Sequence, residues 1–173
     1  MRKSCIPNIF TFINLSCGIL SILSILQQDY ATSSVLIIIA ALVDRYDGRI
    51  ARYLNVSSDL GKELDSLADL VSFGVAPSLL IYSLFNLGSF GPKGIFGIIL
   101  LILFPICGAF RLARYNVADF DGVFTGVPIT ITGCFLAVFA LITFYTSKIT
   151  YLAVFFMLLG SYLMVSTLKL KKI

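Results

Sequence analysis

Six apolar stretches, each roughly 20 residues long, leave this chain few ways to fold. A helix of that length crosses a hydrocarbon layer about 30 Å thick. No water reaches backbone N–H and C=O groups inside that layer, so helices are favoured and an open sheet is not. The composition agrees: of 173 residues, 58% are hydrophobic and 13% are charged, the balance of a membrane protein. The stretches are expected at residues 8–27, 31–54, 60–84, 95–115, 126–146 and 150–168. The expected architecture is one all-α integral membrane domain over residues 1–173, with six transmembrane helices. Pro7 suits a helix start, where a missing N–H costs nothing. Residues 27–30 read as a tight polar turn. Residues 55–59 read as another, with Ser58 or Asp59 as N-cap. Pro77 is expected to kink the third helix, and residues 86–94 to form a Gly-rich loop. The opening basic residues and apolar run have the outline of a signal peptide. However, Pro7, Asn8, Asn14 and Ser16 interrupt the run and no small-x-small site follows, so a first membrane helix is expected.

Several chemistries are excluded at once. The chain has no His, so a histidine general base and histidine-ligated metals are ruled out. Cys5, Cys17, Cys107 and Cys134 show no ligand spacing and read as free thiols. The net charge of +4 does not imply a nucleic-acid partner, because the cations gather at segment ends, as membrane anchors do. With the N-terminus in the cytosol, Arg2, Lys3, Arg45, Arg49, Arg52, Lys62, Arg111, Arg114, Lys169, Lys171 and Lys172 lie on the inner side. Lys93 and Lys148 lie outside. That asymmetry predicts a multi-pass protein of the cell membrane with both termini cytosolic.

Six of the nine acidic residues fall between positions 44 and 69, between strongly apolar flanks. Asp44 and Asp47 are spaced i, i+3, and Asp65 and Asp69 are spaced i, i+4. On helices each pair projects from one face. Arg52 follows about two turns after Asp44, and Gly61 sits one turn before Asp65. A charge at membrane depth costs about 2.5–3.5 kcal/mol on insertion scales, and four gathered together repel unless cations fill the space between them. One alternative makes them interfacial charges paired with Arg45, Arg49 and Lys62. The other makes them ligands. All-oxygen carboxylate ligands suit Mg²⁺, Mn²⁺ or Ca²⁺, and four of them can share two ions. Such pairs of ions stabilise the attacking and leaving oxygens of a phosphoryl displacement. Gly48 and Gly61 let a diphosphate approach the helix backbones, and a helix start near Gly61 favours an anion. Arg52 offers a planar fork for phosphate oxygens. The residues thus point to metal-assisted phosphoryl transfer at the inner membrane face.

The pattern D-x2-D-G-x2-A-R-x8-G-x3-D-x3-D over residues 44–69 resembles the signature of the CDP-alcohol phosphotransferase family, with every fixed position present. The resemblance implies a six-helix, dimeric membrane enzyme that moves a phospho-alcohol group from a CDP-linked donor to a hydroxyl and releases CMP. It implies that Asp44, Asp47 and Asp65 hold one Mg²⁺ or Mn²⁺, and that Asp44, Asp65 and Asp69 hold the other. It makes Asp69 the base that takes the acceptor's proton. It assigns Pro7, Asn8, Gly48, Arg52 and Ser58 to the CDP-diacylglycerol donor, beside Gly61.

Outside the motif, Ile6, Pro7, Asn8, Thr11, Asn14, Leu15 and Gly18, residues 63–77 and residues 110–116 resemble the serine-using, membrane-embedded branch of that family. So do Phe124, Gly126, Val127 and Pro128, and residues 161–166. The implied reaction joins CDP-diacylglycerol and L-serine to give phosphatidylserine and CMP. Serine brings a carboxylate that needs a cation. Arg111 and Arg114, one turn apart with Asn116 nearby, are candidates; the alternative makes both arginines anchors that snorkel to lipid phosphates. Another acceptor, such as glycerol-3-phosphate or inositol phosphate, would need a denser basic pocket. A cation transporter would carry acidic residues mid-bilayer on several helices, whereas here they crowd one face of two.

Overall fold

A computed structural model describes residues 5–53, 59–117, 124–145, 149–167 and 169–170. Ser58, Arg2, Lys3, Lys148, Lys171 and Lys172 therefore lie outside the described residues. For Pro7, Asp47, Gly48 and Arg52 the description extends to the backbone, which is helical.

Among the described residues, helices joined by short turns dominate, with one two-residue ladder. Helix α1 runs Cys5–Leu26 and α2 runs Tyr30–Tyr53. Between them Asp29 caps α2: its carboxylate accepts from the Thr32 N–H at 3.1 Å, and its carbonyl accepts from Ser33 N. That cap makes residues 27–29 a tight turn and sets α1 and α2 side by side. Ser21 and Ser33 bond hydroxyl to hydroxyl across this pair at 2.8 Å. Polar glue of this kind matters more between membrane helices, where lipid removes the hydrophobic drive to associate.

The third apolar stretch is not one uniform helix. It begins as α3, Asp59–Asp69, widens into a π-helical turn at Leu70–Val75, and resumes as α4, Ala76–Leu84. The expected irregularity at Pro77 is thus displaced toward the N-terminus. Pro77 has no N–H to offer the carbonyl four residues back. The backbone takes up the mismatch before the proline, in the wide turn where Ala76 N–H bonds Val71 O. Such turns are rare and tend to occur at functional sites. Ser72, Phe73 and Gly74 in the turn are buried.

Residues 86–94 contain two short 3-10 turns, Leu87–Ser89 and Pro92–Gly94. Helix α5 follows at Ile95–Val117 with Pro105 inside it. Helix α6, Ile129–Tyr145, starts three residues later than the apolar pattern suggests. The reason is Pro128, whose carbonyl accepts from Ile131 N and Thr132 N and so opens the helix. Helix α7, Thr150–Val165, stops short of residue 168 because Ser166 turns extended, with ψ at 152°. The chain then forms β2, Lys169–Leu170, antiparallel to β1, Phe124–Thr125.

The core lies where the helices converge. Phe73, Phe104, Ile37, Leu80, Ile81, Leu136, Met157 and Met164 are fully buried. Phe85 stacks on Phe139 at 5.7 Å, and Phe139 meets Phe156 edge-on at 5.0 Å. The outer surface is strongly apolar, with Phe12, Ile19, Leu23, Ile99, Phe110 and Phe155 exposed. Among the described residues, three helices are long and apolar enough to cross a membrane: Asn8–Leu26, Leu60–Leu84 and Pro92–Val117; Ile129–Tyr145 and Thr150–Val165 are shorter apolar helices. An apolar exterior over apolar helices fits a membrane protein.

Candidate metal centre

Three helices deliver side chains to one small volume. Asp44 comes from α2, Asp65 from α3, and Asp69 from the last position of α3, where the π-turn begins. Each offers a carboxylate oxygen, and these oxygens all lie within 4.8 Å of one another. Asp44 and Asp65 are half-buried and Asp69 is buried. The i, i+4 spacing puts Asp65 and Asp69 on one face of α3, and that face meets α2 at Asp44. Helix α1 supplies the third side. Asn14 is fully buried, and its Nδ2 donates to Asp69 Oδ1 at 3.0 Å. Ser72 Oγ donates to the Asn14 carbonyl at 3.0 Å, tying the π-turn to α1.

The contact between α1 and the π-turn is close. A Cβ at Gly18 would lie 2.5 Å from Ser72 Oγ. On the opposite side, a Cβ at Gly133 of α6 would lie 2.5 Å from the Phe73 carbonyl. The absence of side chains at these two positions lets α1 and α6 clamp the turn that follows Asp69.

Three carboxylates at this separation repel one another. With all separations at or below 4.8 Å and an effective dielectric near 20, an ionised pair costs at least about 3.5 kcal/mol. A hard divalent cation removes that cost, and the donor set suits one. Oxygens that share a Mg²⁺ at 2.0–2.1 Å lie about 3–4 Å apart, so the observed spread needs only small side-chain adjustment. The residues present therefore fit a divalent ion.

The remaining expected site residues divide by position. Arg111 of α5 is buried and within electrostatic reach of Asp69. Its guanidinium lies 4.6 Å from the centre of the Tyr115 ring, and its Nε has no partner among the described residues. Arg114 donates from Nη1 to the Val165 carbonyl at 3.3 Å, bonding α5 to the end of α7. Asn116 donates from Nδ2 to Ser66 Oγ at 3.0 Å, bonding α5 to α3 beside Asp65. Of these three, Arg111 lies within electrostatic reach of Asp69, whereas Arg114 and Asn116 bond neighbouring helices. Gly61 sits half-buried in the first turn of α3, and Asn8 is half-buried near the start of α1. Sequence reasoning gave no role to Asn14 or Ser72. Both lie in segments that resemble the family's serine-using branch, and Asn14 is also an amide inside an apolar run, which membrane helices rarely carry without use.

A family model described as CDP-alcohol phosphatidyltransferase matches residues 4–166. The chain belongs to the CDP-alcohol phosphatidyltransferase family. Within that family it is similar to the CDP-diacylglycerol–serine O-phosphatidyltransferase of Bacillus subtilis (strain 168), at 39% identity over 134 residues, 77% of this chain and 73% of the relative. The enzyme of that name from Helicobacter pylori (strain J99) is 40% identical over 127 residues, 71% of this chain but 52% of the relative. An archaetidylserine synthase of Methanothermobacter thermautotrophicus is 34% identical over 171 residues, 97% of this chain and 70% of the relative. The Helicobacter relative is thus about twice as long as the segment it shares with this chain. CDP-alcohol phosphatidyltransferases generally use divalent metals, and the three-aspartate cluster is where this chain could hold one.

Proposed function

We propose that the chain transfers the phosphatidyl group of CDP-diacylglycerol to the hydroxyl of L-serine and releases CMP. The observation that carries this reading is the convergence of Asp44, Asp65 and Asp69 within 4.8 Å, in a chain whose relatives are named for that reaction. Asp44, Asp47 and Asp65 would hold one Mg²⁺ or Mn²⁺, and Asp44, Asp65 and Asp69 would hold a second. When bound, these ions offset the charge of the diphosphate and of departing CMP.

The chain's own residues do the rest. Asp69 takes the proton of the serine hydroxyl as that oxygen bonds to the phosphorus carrying diacylglycerol. The bond from that phosphorus to the bridging oxygen breaks, and its electron pair leaves with CMP. Arg111, buried beside Asp69, pairs with the serine carboxylate. Arg114 and Asn116 support that pocket by fixing α5 against α7 and α3. Pro7, Asn8, Gly48, Arg52, Ser58 and Gly61 are assigned to binding the CDP donor. Gly61 lies in the first turn of α3, a helix start that suits a phosphate.

The chain crosses the cell membrane six times as one domain, with both termini and the aspartates cytosolic, and works as a homodimer among membrane lipids. The eleven-to-two distribution of cations supports that orientation.

The test is acceptor competition. Labelled CDP-diacylglycerol is incubated with the detergent-purified chain, Mn²⁺ or Mg²⁺, and serine, glycerol-3-phosphate or inositol phosphate in turn. Serine alone should yield labelled lipid and stoichiometric CMP; product with either phosphorylated acceptor instead would overturn the reading. A second reading concerns the donor. Similarity to an archaetidylserine synthase over 97% of the chain favours testing a CDP-linked ether lipid in the same assay.

A further inference from the structure

We propose that Asn14 is the positioning residue for Asp69. The inference rests on Asp69 belonging to the metal and proton-transfer site proposed above. Asn14 is fully buried in the apolar helix α1, where an amide without a task costs free energy. Its Nδ2 donates to Asp69 Oδ1 at 3.0 Å. An ionised carboxylate only accepts, so the amide must present its N–H groups there. That one bond fixes the rotation of the carboxylate and leaves Oδ2 for a cation or for the proton of the acceptor hydroxyl.

The amide is itself fixed. Ser72 Oγ holds the Asn14 carbonyl at 3.0 Å, and Gly18 brings α1 against Ser72 with no room for a side chain between them. Asn14 Oδ1 is buried without a partner among the described residues. An asparagine placed only to join helices would satisfy both ends of its amide. Here the orientation serves Asp69 at the expense of the oxygen. Asn14 touches the carboxylate and not the reacting atoms, so its effect runs through Asp69.

The experiment uses the full chain in detergent. Mn²⁺ binding is read by electron paramagnetic resonance, and kcat and the serine KM by CMP release. Asn14→Leu keeps roughly the volume and removes the donor. It should weaken Mn²⁺ binding and lower kcat about 10- to 100-fold, the usual effect of losing a ligand's supporting partner, with serine KM within about two-fold of wild type. The double variant Asn14→Leu/Asp69→Asn should be no worse than Asp69→Asn alone, because the first change acts through the second residue. Additive losses, or wild-type Mn²⁺ affinity and turnover in Asn14→Leu, would overturn the proposal. Should Asn14→Leu fail to fold, Asn14→Asp keeps the shape while replacing the donor, and wild-type turnover there would overturn it equally. If the wild-type chain uses an acceptor other than serine, the Mn²⁺ arm still reads Asn14 against Asp69. If serine transfer holds and the coupling is absent, this proposal alone fails.

Discussion

Asp69 carries two tasks on one carboxylate, and they separate by substitution. Asp69→Asn keeps an oxygen ligand but cannot take a proton. With Mn²⁺ raised to saturate the weakened site, kcat should still fall about 10²- to 10⁴-fold, the usual weight of a general base, as read by CMP release. Normal turnover with metal bound would remove the base assignment. Arg111→Lys keeps the charge and loses the planar fork. It should raise the serine KM by more than the CDP-diacylglycerol KM, measured by varying each substrate in turn. At this scale the sequence was informative for carboxylates. Asp44, Asp65 and Asp69 are charges within apolar helices at helical spacing, and few arrangements satisfy that. Asn14 was not readable, because its partner lies 55 residues away and a lone amide in an apolar helix has many uses. Arg111 and Arg114 looked equivalent by spacing. The packing separates them, burying one within electrostatic reach of Asp69 and tying the other to α7.

Helices set the site's geometry through two contacts, and each has a consequence. Helix α1 reaches the π-turn only because Gly18 has no side chain. Gly18→Val should push Ser72 and Asn14 apart and lower the melting temperature in detergent, with overpacking costing about 1–3 kcal/mol; an unchanged melt would show that this contact is slack. The turn between α1 and α2 depends on Asp29, whose carboxyl is held below its ordinary range by the Thr32 hydroxyl and N–H. A depressed value means the cap stabilises the fold above the unfolded value and is lost as pH falls through the folded one. Asp29→Ala should therefore melt lower than wild type at neutral pH, with the gap closing as pH drops below the carboxylate range. A gap independent of pH would contradict the cap. Element boundaries were only partly readable. Pro77 announced an irregularity, but Leu70–Val75 reads as ordinary apolar helix, and nothing local distinguishes a π-turn from an α-turn. The late start of α6 follows from Pro128 as a helix opener, a signal hidden by the apolar residues around it.

The molecule as a whole joins an apolar exterior to a polar, acidic cluster where α1, α2 and α3 meet. Helicity was predictable because hydrocarbon permits few alternatives, and the acidic cluster because charges are costly there. Which helices face one another was not, since apolar faces in lipid carry little pairing information. Contacts that help fix it join residues distant in sequence as well as near: Ser21 with Ser33, Asn14 with Asp69, and Asn116 with Ser66. All three bring polar groups together between helices, and the second ends on the acidic cluster. The central claim is that this cluster works only when divalent ions neutralise it. The direct measurement is CMP release from CDP-diacylglycerol and serine after exhaustive chelation, followed by titration with Mn²⁺ or Mg²⁺. The account predicts loss of turnover on chelation and full recovery on titration, with no recovery in Asp44→Ala. Undiminished turnover in chelated, metal-free protein would contradict it.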